Sequence, residues 1–274
     1  MRTIILSLGV AGATYTLFVE PFLLNVNYYT IESEKIPPEF DGYKIAIISD
    51  VHYTSYLTEY FLKRIINKTN SLDVDLIVGL GDYVKGHKNV KELIVAWRHM
   101  QNLKAKDGVL MINGNHDHWA DHESSLKLLK ESGLSVRHQH RVITHNKQSI
   151  VVAGAGDFYE DSPGIDKALR GTPENLFRIV LAHNPDTIDL PRVNHVDLFL
   201  CGHTHGGQVA IPFFNYAPIL PLNNKSYDRG FRKSAQGEDI FIGRGIGTSI
   251  LPVRFNSPPE IPVIILKRIP TETR

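Results

Sequence analysis

The sequence predicts an α/β fold whose buried strands carry the functional residues at one edge of a sheet. One observation is that short apolar runs rich in β-branched residues recur along the chain and stop at Gly, Asp, Asn or His. Another is that segments with apolar residues at helical spacing separate the first of these runs. Continuous apolar runs are typical of strands buried on both faces, and alternation with helices is typical of a parallel sheet.

The first element is an uncharged apolar segment, residues 3–19, which follows Arg2 and precedes Glu20. A helix of this length spans roughly 25 Å, slightly less than a hydrocarbon core of about 30 Å. We therefore expect residues 1–25 to form a membrane anchor or signal-like segment, and the protein to be membrane-associated. A cleaved signal peptide, a helix lying in the membrane interface and a buried element of a soluble protein are the alternatives. A single arginine does not fix the side of the membrane.

The next interval, residues 26–42, is predicted to be a linker because it ends in two prolines and an Asp-Gly pair. Residues 43–270 are predicted to form one catalytic domain, since no internal repeat or second linker interrupts them. A hydrophobic content of 42% is sufficient to fill a substantial core.

Within this domain, six apolar runs that end in polar residues are predicted strands: 44–49, 76–80, 109–112, 150–155, 177–182 and 196–201. Two further strands are predicted at 240–242 and 261–266. Helical patterns follow the first three strands: one is capped by Thr58, the next carries Leu93 and Trp97 on its apolar face, and the third ends before Gly133.

Charge and cysteine content exclude several classes of protein. Thirty basic and 29 acidic residues leave a formal charge of +1, so we expect no nucleic-acid partner. The single cysteine, Cys201, excludes an internal disulfide framework and a structural zinc finger, but it is compatible with more than one compartment.

The residues that follow the predicted strands are of metal-ligand types. Loops leaving the carboxyl ends of strands meet in one crevice of an α/β sheet, so residues distant in sequence become neighbours there. Mixed nitrogen and oxygen ligands suit Mn²⁺, Fe or Zn²⁺ better than Ca²⁺ or Mg²⁺. We therefore predict a site for two divalent cations, with Mn²⁺ favoured, held by Asp50, His52, Asp82, Asn115, His183, His203 and His205.

Each motif alone is weak evidence. Gly81-Asp82 is the composition of an ordinary turn, and His203-Thr204-His205 also occurs without a metal. The prediction depends on all of the motifs occurring in order, each after an apolar strand.

These motifs resemble those of the calcineurin-like metallophosphoesterases. The resemblance extends from about Tyr43 to Leu266 and implies an αββα sandwich of two mixed sheets flanked by helices. It implies that one cation is held by Asp50, His52, Asp82 and His205, and the other by Asp82, Asn115, His183 and His203. Asp82 would bridge the two cations.

The same resemblance implies that His116 and Asp117 are catalytic. His116 would act near the leaving-group oxygen, and Asp117 would orient its ring. An imidazole beside two cations can donate a proton or hydrogen bond to a departing alkoxide. The alternative is that His116 lies next to the metal ligands without taking part in the reaction. We expect a metal-bound hydroxide to attack phosphorus directly, without a phosphoenzyme. Histidines outside the motifs, among them His87 and His118, are interpreted as surface or loop residues.

Longer signatures resemble a membrane-associated bacterial branch of the family: residues 202–208, residues 244–248, and Glu20-Pro21 after an apolar start. This branch contains phosphodiesterases and UDP-2,3-diacylglucosamine pyrophosphatases. The best candidate substrate is therefore UDP-2,3-diacylglucosamine, cleaved to lipid X and UMP in lipid A synthesis. A broad phosphodiesterase, a phosphomonoesterase, a protein phosphatase and a metal-poor scaffolding module are the alternatives. The oligomeric state is not predicted.

Apolar residues close to the motifs are consistent with a lipid or nucleotide-lipid substrate at a membrane surface. They are Tyr53, Tyr56, Tyr60, Phe61, Ile211, Pro212, Phe213, Phe214, and residues 219–222. Ordinary packing is the alternative for each of them. Four cations could meet a phosphate or a headgroup, or simply face solvent: Lys63, Arg64, Arg244 and Arg254.

Overall fold

The computed structural model describes residues 2–54, 57–212 and 217–270, without the side chains of residues 2–6 and 8. Three of the predicted lipid contacts, Tyr56, Phe213 and Phe214, lie outside the described residues. The described strands are β1 (Asn25–Ser33), β2 (Lys44–Ile48), β3 (Leu76–Gly79), β4 (Val109–Met111), β5 (His140–His145), β6 (Gln148–Gly154), β7 (Phe177–Ala182), β8 (Leu198–Cys201), β9 (Gly230–Lys233), β10 (Asp239–Ile242) and β11 (Glu260–Arg268).

The described α-helices are α1 (Arg2–Phe18), α2 (Glu59–Asn70), α3 (Val90–Met100), α4 (Asn115–Ala120), α5 (His122–Glu131) and α6 (Ile165–Ala168). Short 3₁₀ turns lie at Glu20–Phe22, Pro38–Phe40, Pro185–Asp189 and His205–Gly207. The three helices predicted in the catalytic domain correspond to α2, α3 and α5. Gly133 follows the last of them with φ +72°, as expected for a glycine that ends a helix.

The strands form two mixed sheets. The first has the order β1-β11-β2-β3-β4 and the second β5-β6-β7-β8-β10-β9. Neighbours are parallel except at β11–β2, β5–β6 and β10–β9. The first sheet therefore contains three consecutive parallel strands, β2-β3-β4, and the second contains four, β6-β7-β8-β10. Within each sheet the carboxyl ends of these strands lie on one side.

Three buried apolar clusters define the layers. The middle cluster joins the facing sides of the sheets, with Ile47 and Val78 from the first and Ile179 and Leu200 from the second. A second cluster packs the outer face of the first sheet against α2 and α3, and a third covers the outer face of the second sheet. The predicted αββα sandwich is confirmed.

The interval predicted to be a linker contains a strand instead. β1 pairs in parallel with β11 along its whole length, from Asn25↔Glu260 to Ser33↔Arg268. The interpretation of residues 26–42 as a linker was therefore wrong for residues 26–33, and the first sheet begins before residue 43. The turn-rich composition of residues 36–42 dominated that prediction, whereas an edge strand with polar residues gives only a weak pattern.

The apolar amino-terminal segment is helical over 17 residues. No helix in the described part of the chain is both long enough and apolar enough to span a bilayer. The end of α1 is docked on the domain: the Arg254 amide donates to the Thr16 carbonyl at 3.1 Å. Just beyond α1, the buried Glu20 carboxylate accepts from the Ser257 amide at 2.7 Å.

Candidate metal centre

The predicted ligands lie where parallel strands end, and the backbone there is strained. Five of the seven have positive φ although none is glycine: Asp50 (52°), His52 (47°), Asp82 (55°), His203 (70°) and His205 (52°). A side chain in this region costs about 1–2 kcal/mol because Cβ approaches the following carbonyl. Such strain is typical of functional sites, where it aims side chains that regular strands would direct elsewhere.

Two glycines allow the loops after β3 and β4 to meet. A Cβ on Gly81, which has φ +97°, would lie 2.1 Å from the Gly114 nitrogen. A Cβ on Gly114 would lie 2.4 Å from Asp82 Oδ1 and 2.7 Å from the His183 ring. Any side chain at either position would therefore displace the predicted ligands.

The first group of potential ligands comprises Asp50, His52 and His205, whose ligand atoms all lie within 4.8 Å of one another. Nε2 of His52 and Nε2 of His205 are 2.9 Å apart, and Asp50 Oδ1 is 3.6 Å from the latter. All three side chains are buried. The Asp50 carboxylate is fixed by Ser49 Oγ and by the His203 amide, which donates to both of its oxygens.

The second group comprises Asp82, His183 and His203, again within 4.8 Å of one another. His183 Nε2 lies 3.2 Å from Asp82 Oδ2 and 3.1 Å from His203 Nδ1. The outer ring nitrogens donate to backbone carbonyls: His183 Nδ1 to Leu80 at 2.8 Å, and His203 Nε2 to Pro221 at 3.2 Å. Because a carbonyl can only accept, these bonds leave the inner nitrogens available as ligands.

Asp82 lies between the two groups. Its Oδ2 is 3.6 Å from His52 Nε2 and 3.2 Å from His183 Nε2, while its Oδ1 accepts from the His116 amide at 2.8 Å. Six of the seven predicted ligands thus converge in the two sets that the resemblance implies, with Asp82 shared. Asn115 contributes a buried oxygen that has no protein partner in the described part of the chain.

This arrangement fits divalent cations. Facing imidazole nitrogens repel through their lone pairs unless a proton or a cation lies between them, and metal–nitrogen bonds of about 2.0–2.1 Å bring such nitrogens roughly 3–4 Å apart. Burial lowers the pKa of His52 and His205, and it lowers that of His203 to about 3. These rings are therefore neutral, which is the form that binds metals.

The remaining histidine of the centre behaves differently. Burial alone would lower the pKa of His183, but the adjacent Asp82 carboxylate raises it to about 10. The same contact and the neighbouring imidazoles hold the pKa of Asp82 well below its ordinary value, despite burial. Without a metal, a proton on Nε2 of His183 therefore neutralises Asp82, and a cation that binds there must displace this proton.

His116 lies beside this centre, but Asp117 does not orient its ring. His116 Nδ1 contacts the Lys85 carbonyl at 3.0 Å. The fully buried Asp117 carboxylate instead accepts three backbone N–H groups, from Asp82 at 2.8 Å, Tyr83 at 2.9 Å and Gly114 at 3.0 Å. The expectation that Asp117 orients the His116 ring is therefore wrong, because both oxygens of the Asp117 carboxylate bind the loops after β3 and β4.

Several residues near the centre were not singled out from the sequence. Asp157 is buried, and its Oδ2 has no partner in the described part of the chain, while Oδ1 accepts from the Tyr159 and Glu160 amides. Trp119 lies with its ring centroid 4.5 Å from that of His116, and His87 stacks on Trp119. The position of Asp157 after a strand was a usable signal; the aromatic contacts depend on tertiary structure.

The predicted lipid and phosphate contacts divide into exposed and buried residues. Tyr60 and Ile219 are exposed, at 78% and 76%, whereas Phe61, Leu220 and Leu222 are buried. Lys63 and Arg64 are exposed on α2. Arg254 is fully buried and donates to the Gly247 and Ser257 carbonyls, and Arg244 forms an ion pair with Glu260 at 2.8 Å. The suggestion that Arg254 meets a headgroup is therefore wrong.

Comparison with known proteins gives consistent matches. The family described as "Calcineurin-like phosphoesterase" matches residues 43–207. An uncharacterized metallophosphoesterase, YkuE of Bacillus subtilis, is 35% identical over 93% of this chain and 90% of its own length. The phosphodiesterase YaeI of Escherichia coli is 32% identical over 82% of each chain. The UDP-2,3-diacylglucosamine pyrophosphatase LpxG of Chlamydia trachomatis is 26% identical over 94% of each chain.

Proposed function

The chain belongs to the calcineurin-like phosphoesterases and is a metal-dependent phosphoester hydrolase, and we propose that it cleaves phosphodiester or pyrophosphate bonds of a substrate at a membrane surface. The best candidate is UDP-2,3-diacylglucosamine, cleaved to lipid X and UMP. The observation that carries the proposal is the pair of buried ligand groups that share Asp82.

In this proposal the two groups hold two divalent cations, with Mn²⁺ as first choice and Fe or Zn²⁺ as alternatives. Asp50, His52, Asp82 and His205 form one set; Asp82, Asn115, His183 and His203 form the other. When bound, two cations supply Lewis acidity toward water and toward the phosphoryl oxygens.

The protein side chains orient the reacting groups. Asp82 fixes the spacing of the two sets through its shared oxygen, and the Leu80 and Pro221 carbonyls fix the rings of His183 and His203. His116 lies at the edge of the centre, where a nitrogen of its ring can serve the leaving-group oxygen. Asp117 has a positioning role, since it joins the loop that carries Asp82 to the loop that carries Asn115.

The choice of a nucleotide-lipid rests on the LpxG relative and on exposed apolar residues beside the centre. Ile250 and Leu251 are 84% and 59% exposed. Their carbonyls accept from Lys85 Nζ and Gln208 Nε2, which connects this apolar rim to the loops that carry His116 and His205. Acyl chains could rest on such a surface while the phosphates reach the metals.

Membrane association is supported by the position of α1. Phe18 at the end of α1 is exposed, as are Val19 and Leu23 just beyond it. Arg254, which fixes the end of α1 through Thr16, lies 3.3 Å from His205 Nδ1. A membrane that covered the end of α1 would therefore lie beside the metal centre.

α2 adds an open groove of about 520 Å³ lined by Tyr60, Lys63, Arg64, Asn67 and Lys68. Basic side chains next to an aromatic residue favour binding of this face to an anionic bilayer surface.

A broad phosphodiesterase is the second candidate, because YaeI is named a phosphodiesterase and is more similar to this chain than LpxG is. The two candidates differ in substrate, not in the chemistry of the centre.

Substrate profiling distinguishes them. Mn²⁺-loaded protein would be incubated in detergent with UDP-2,3-diacylglucosamine, bis(4-nitrophenyl) phosphate and 4-nitrophenyl phosphate. We expect release of UMP to have the highest kcat/KM. Slow release of UMP beside rapid cleavage of the generic diester would reject the lipid substrate and leave the diesterase; preference for the monoester would reject both.

A further inference from the structure

We propose that Trp119, held by Glu160 and His87, is a positioning residue for His116. Through His116 it determines how fast the enzyme cleaves esters that have poor leaving groups. This inference rests on the proposed function, because it assigns His116 to the leaving-group oxygen. It starts from the observation that the ring of His116 is fixed by groups other than the neighbouring carboxylate.

Four groups surround the His116 ring, and the most distant of them is the His87 ring, with centroids 6.3 Å apart. Nδ1 of His116 bonds to the Lys85 carbonyl at 3.0 Å, so this nitrogen carries hydrogen and the other ring nitrogen is left for the substrate. The His52 ring meets it edge to face, with centroids 4.5 Å apart and planes at 86°. The Trp119 indole lies on another side, with centroids 4.5 Å apart and planes at 57°.

The indole is itself fixed from several directions. Its Nε1–H donates to Glu160 Oε1 at 2.6 Å, and the His87 ring stacks on it at 4.9 Å with planes 13° apart. The Trp119 carbonyl accepts from the Lys88 amide at 3.0 Å, which ties the helix α4 to the segment that supplies the Lys85 carbonyl. Glu160 in turn is held by the carboxylate of Asp157, which accepts its amide at 2.9 Å.

These contacts form a chain from the loop after β6 to His116. Without Trp119, the described contacts left to the ring would be the Lys85 bond, the His52 ring and the more distant His87 ring, which would have lost its own stacking partner. A small rotation about its side-chain bonds would then displace the functional nitrogen from the leaving group.

The chemical consequence depends on the leaving group. Water adds to phosphorus through its oxygen, and the bond to the leaving oxygen breaks with its electron pair. Because Nδ1–H of His116 is held by the Lys85 carbonyl, the other ring nitrogen must carry its own hydrogen in this step, and it gives that hydrogen to the leaving oxygen. The proton released by water replaces the one that is given up. Phenoxide needs this assistance, whereas 4-nitrophenoxide leaves readily without it. Misplacement of His116 should therefore slow the former reaction selectively.

The test compares methyl phenyl phosphate with methyl 4-nitrophenyl phosphate in full-length, Mn²⁺-loaded protein. For Trp119→Leu we expect kcat on the phenyl diester to fall about 10- to 100-fold, with kcat on the nitrophenyl diester within about 3-fold and KM nearly unchanged for both. Trp119→Phe, which restores an aromatic face, should recover most of the loss.

A second variant tests the proposal even if the Trp119→Leu protein does not fold. Glu160 is exposed, and Glu160→Ala frees the indole N–H. It should cause a smaller loss with the same selectivity, about 3- to 10-fold on the phenyl diester and less than about 2-fold on the nitrophenyl diester. Glu123→Ala, an exposed carboxylate on α5, is the matched control and should change neither rate.

The positioning role would be overturned if Trp119→Leu binds as much metal as the wild-type protein and its kcat falls equally on the two diesters, or does not fall. The proposed function would remain intact. Failure of the wild-type protein to cleave either diester with any of the candidate metals would overturn both.

Discussion

At the scale of single residues, the Asp82 carboxylate lies close to ring nitrogens of both ligand groups. Its Oδ2 lies 3.6 Å from His52 Nε2 and 3.2 Å from His183 Nε2. We expect Asp82→Ala to lower the metal content below one equivalent, because both cations lose a ligand and their separation is no longer fixed. We expect kcat to fall at least about 100-fold.

Elemental analysis after dialysis, together with diester hydrolysis, measures both quantities. His52→Ala should lose mainly one equivalent, since His52 belongs to one group. Asp73→Ala serves as the control, because the Asp73 side chain is 82% exposed. Two firmly bound equivalents in Asp82→Ala would exclude the bridging role.

For Asp117 we predict an effect on stability, because its carboxylate accepts hydrogen bonds from three backbone N–H groups. An Asn side chain has one acceptor oxygen and turns an NH₂ group toward the loop amides. We expect Asp117→Asn to lower the free energy of unfolding by about 2–4 kcal/mol, because each buried N–H group that loses its acceptor costs about 1–3 kcal/mol.

Urea unfolding of metal-free protein isolates this effect from metal binding. A catalytic residue that only touches the substrate would leave the unfolding midpoint of the metal-free protein unchanged. That result would contradict the positioning role of Asp117.

The candidate centre was largely predictable because its ligands follow apolar strands at short, readable spacings. The contacts of His116 were not predictable. Asp117 is its neighbour in sequence, but the helical turn that begins at Asn115 directs the carboxylate back to the amides of Asp82 and Gly114. Trp119 and Glu160 are 41 residues apart, and no local pattern predicts that they touch.

At the scale of elements, β1 is the part of the fold that the sequence pattern did not reveal. Nine residue pairs join it to β11, and Ile31 belongs to the cluster between the sheets. Strands at 177–182 and 198–201 were readable because they are buried on both faces. β1 has one exposed edge and several polar residues, so its strand character depends on pairing with β11.

This difference predicts unequal effects of two truncations. Removing residues 1–24 takes away α1 and the Glu20–Ser257 bond, but it leaves both sheets complete. Removing residues 1–34 also deletes β1 and exposes the edge of β11. We expect the shorter truncation to unfold cooperatively in urea and the longer one to aggregate or unfold at much lower denaturant.

Circular dichroism and size-exclusion chromatography measure these outcomes. Equal stability of the two truncated proteins would show that β1 contributes nothing to the sheet. Ile31→Ala in the full chain gives an independent measure, with an expected loss of about 2–4 kcal/mol for a buried isoleucine.

At the scale of the whole molecule, the formal charge is close to zero, but cations are concentrated on the exposed face of α2. Each cation near an anionic bilayer contributes about 1 kcal/mol. We expect Lys63→Gln combined with Lys68→Gln to weaken binding to phosphatidylglycerol vesicles roughly 30-fold, a loss of about 2 kcal/mol.

Vesicle sedimentation at low salt provides the measurement. Lys127→Gln combined with Lys130→Gln removes the same charge from the exposed face of α5 and should leave binding unchanged. Equal weakening by both pairs would indicate a general charge effect and contradict a membrane-facing α2.

The central claim is that two cations held by the buried ligand groups make this chain a phosphodiester hydrolase. Its most direct test is the titration of metal-free protein with Mn²⁺ while both bound metal and cleavage of bis(4-nitrophenyl) phosphate are measured. We predict that no activity is present without metal and that turnover rises as the second equivalent binds. Full turnover in metal-free protein, or saturation with metal and no cleavage of any phosphodiester, would contradict the claim.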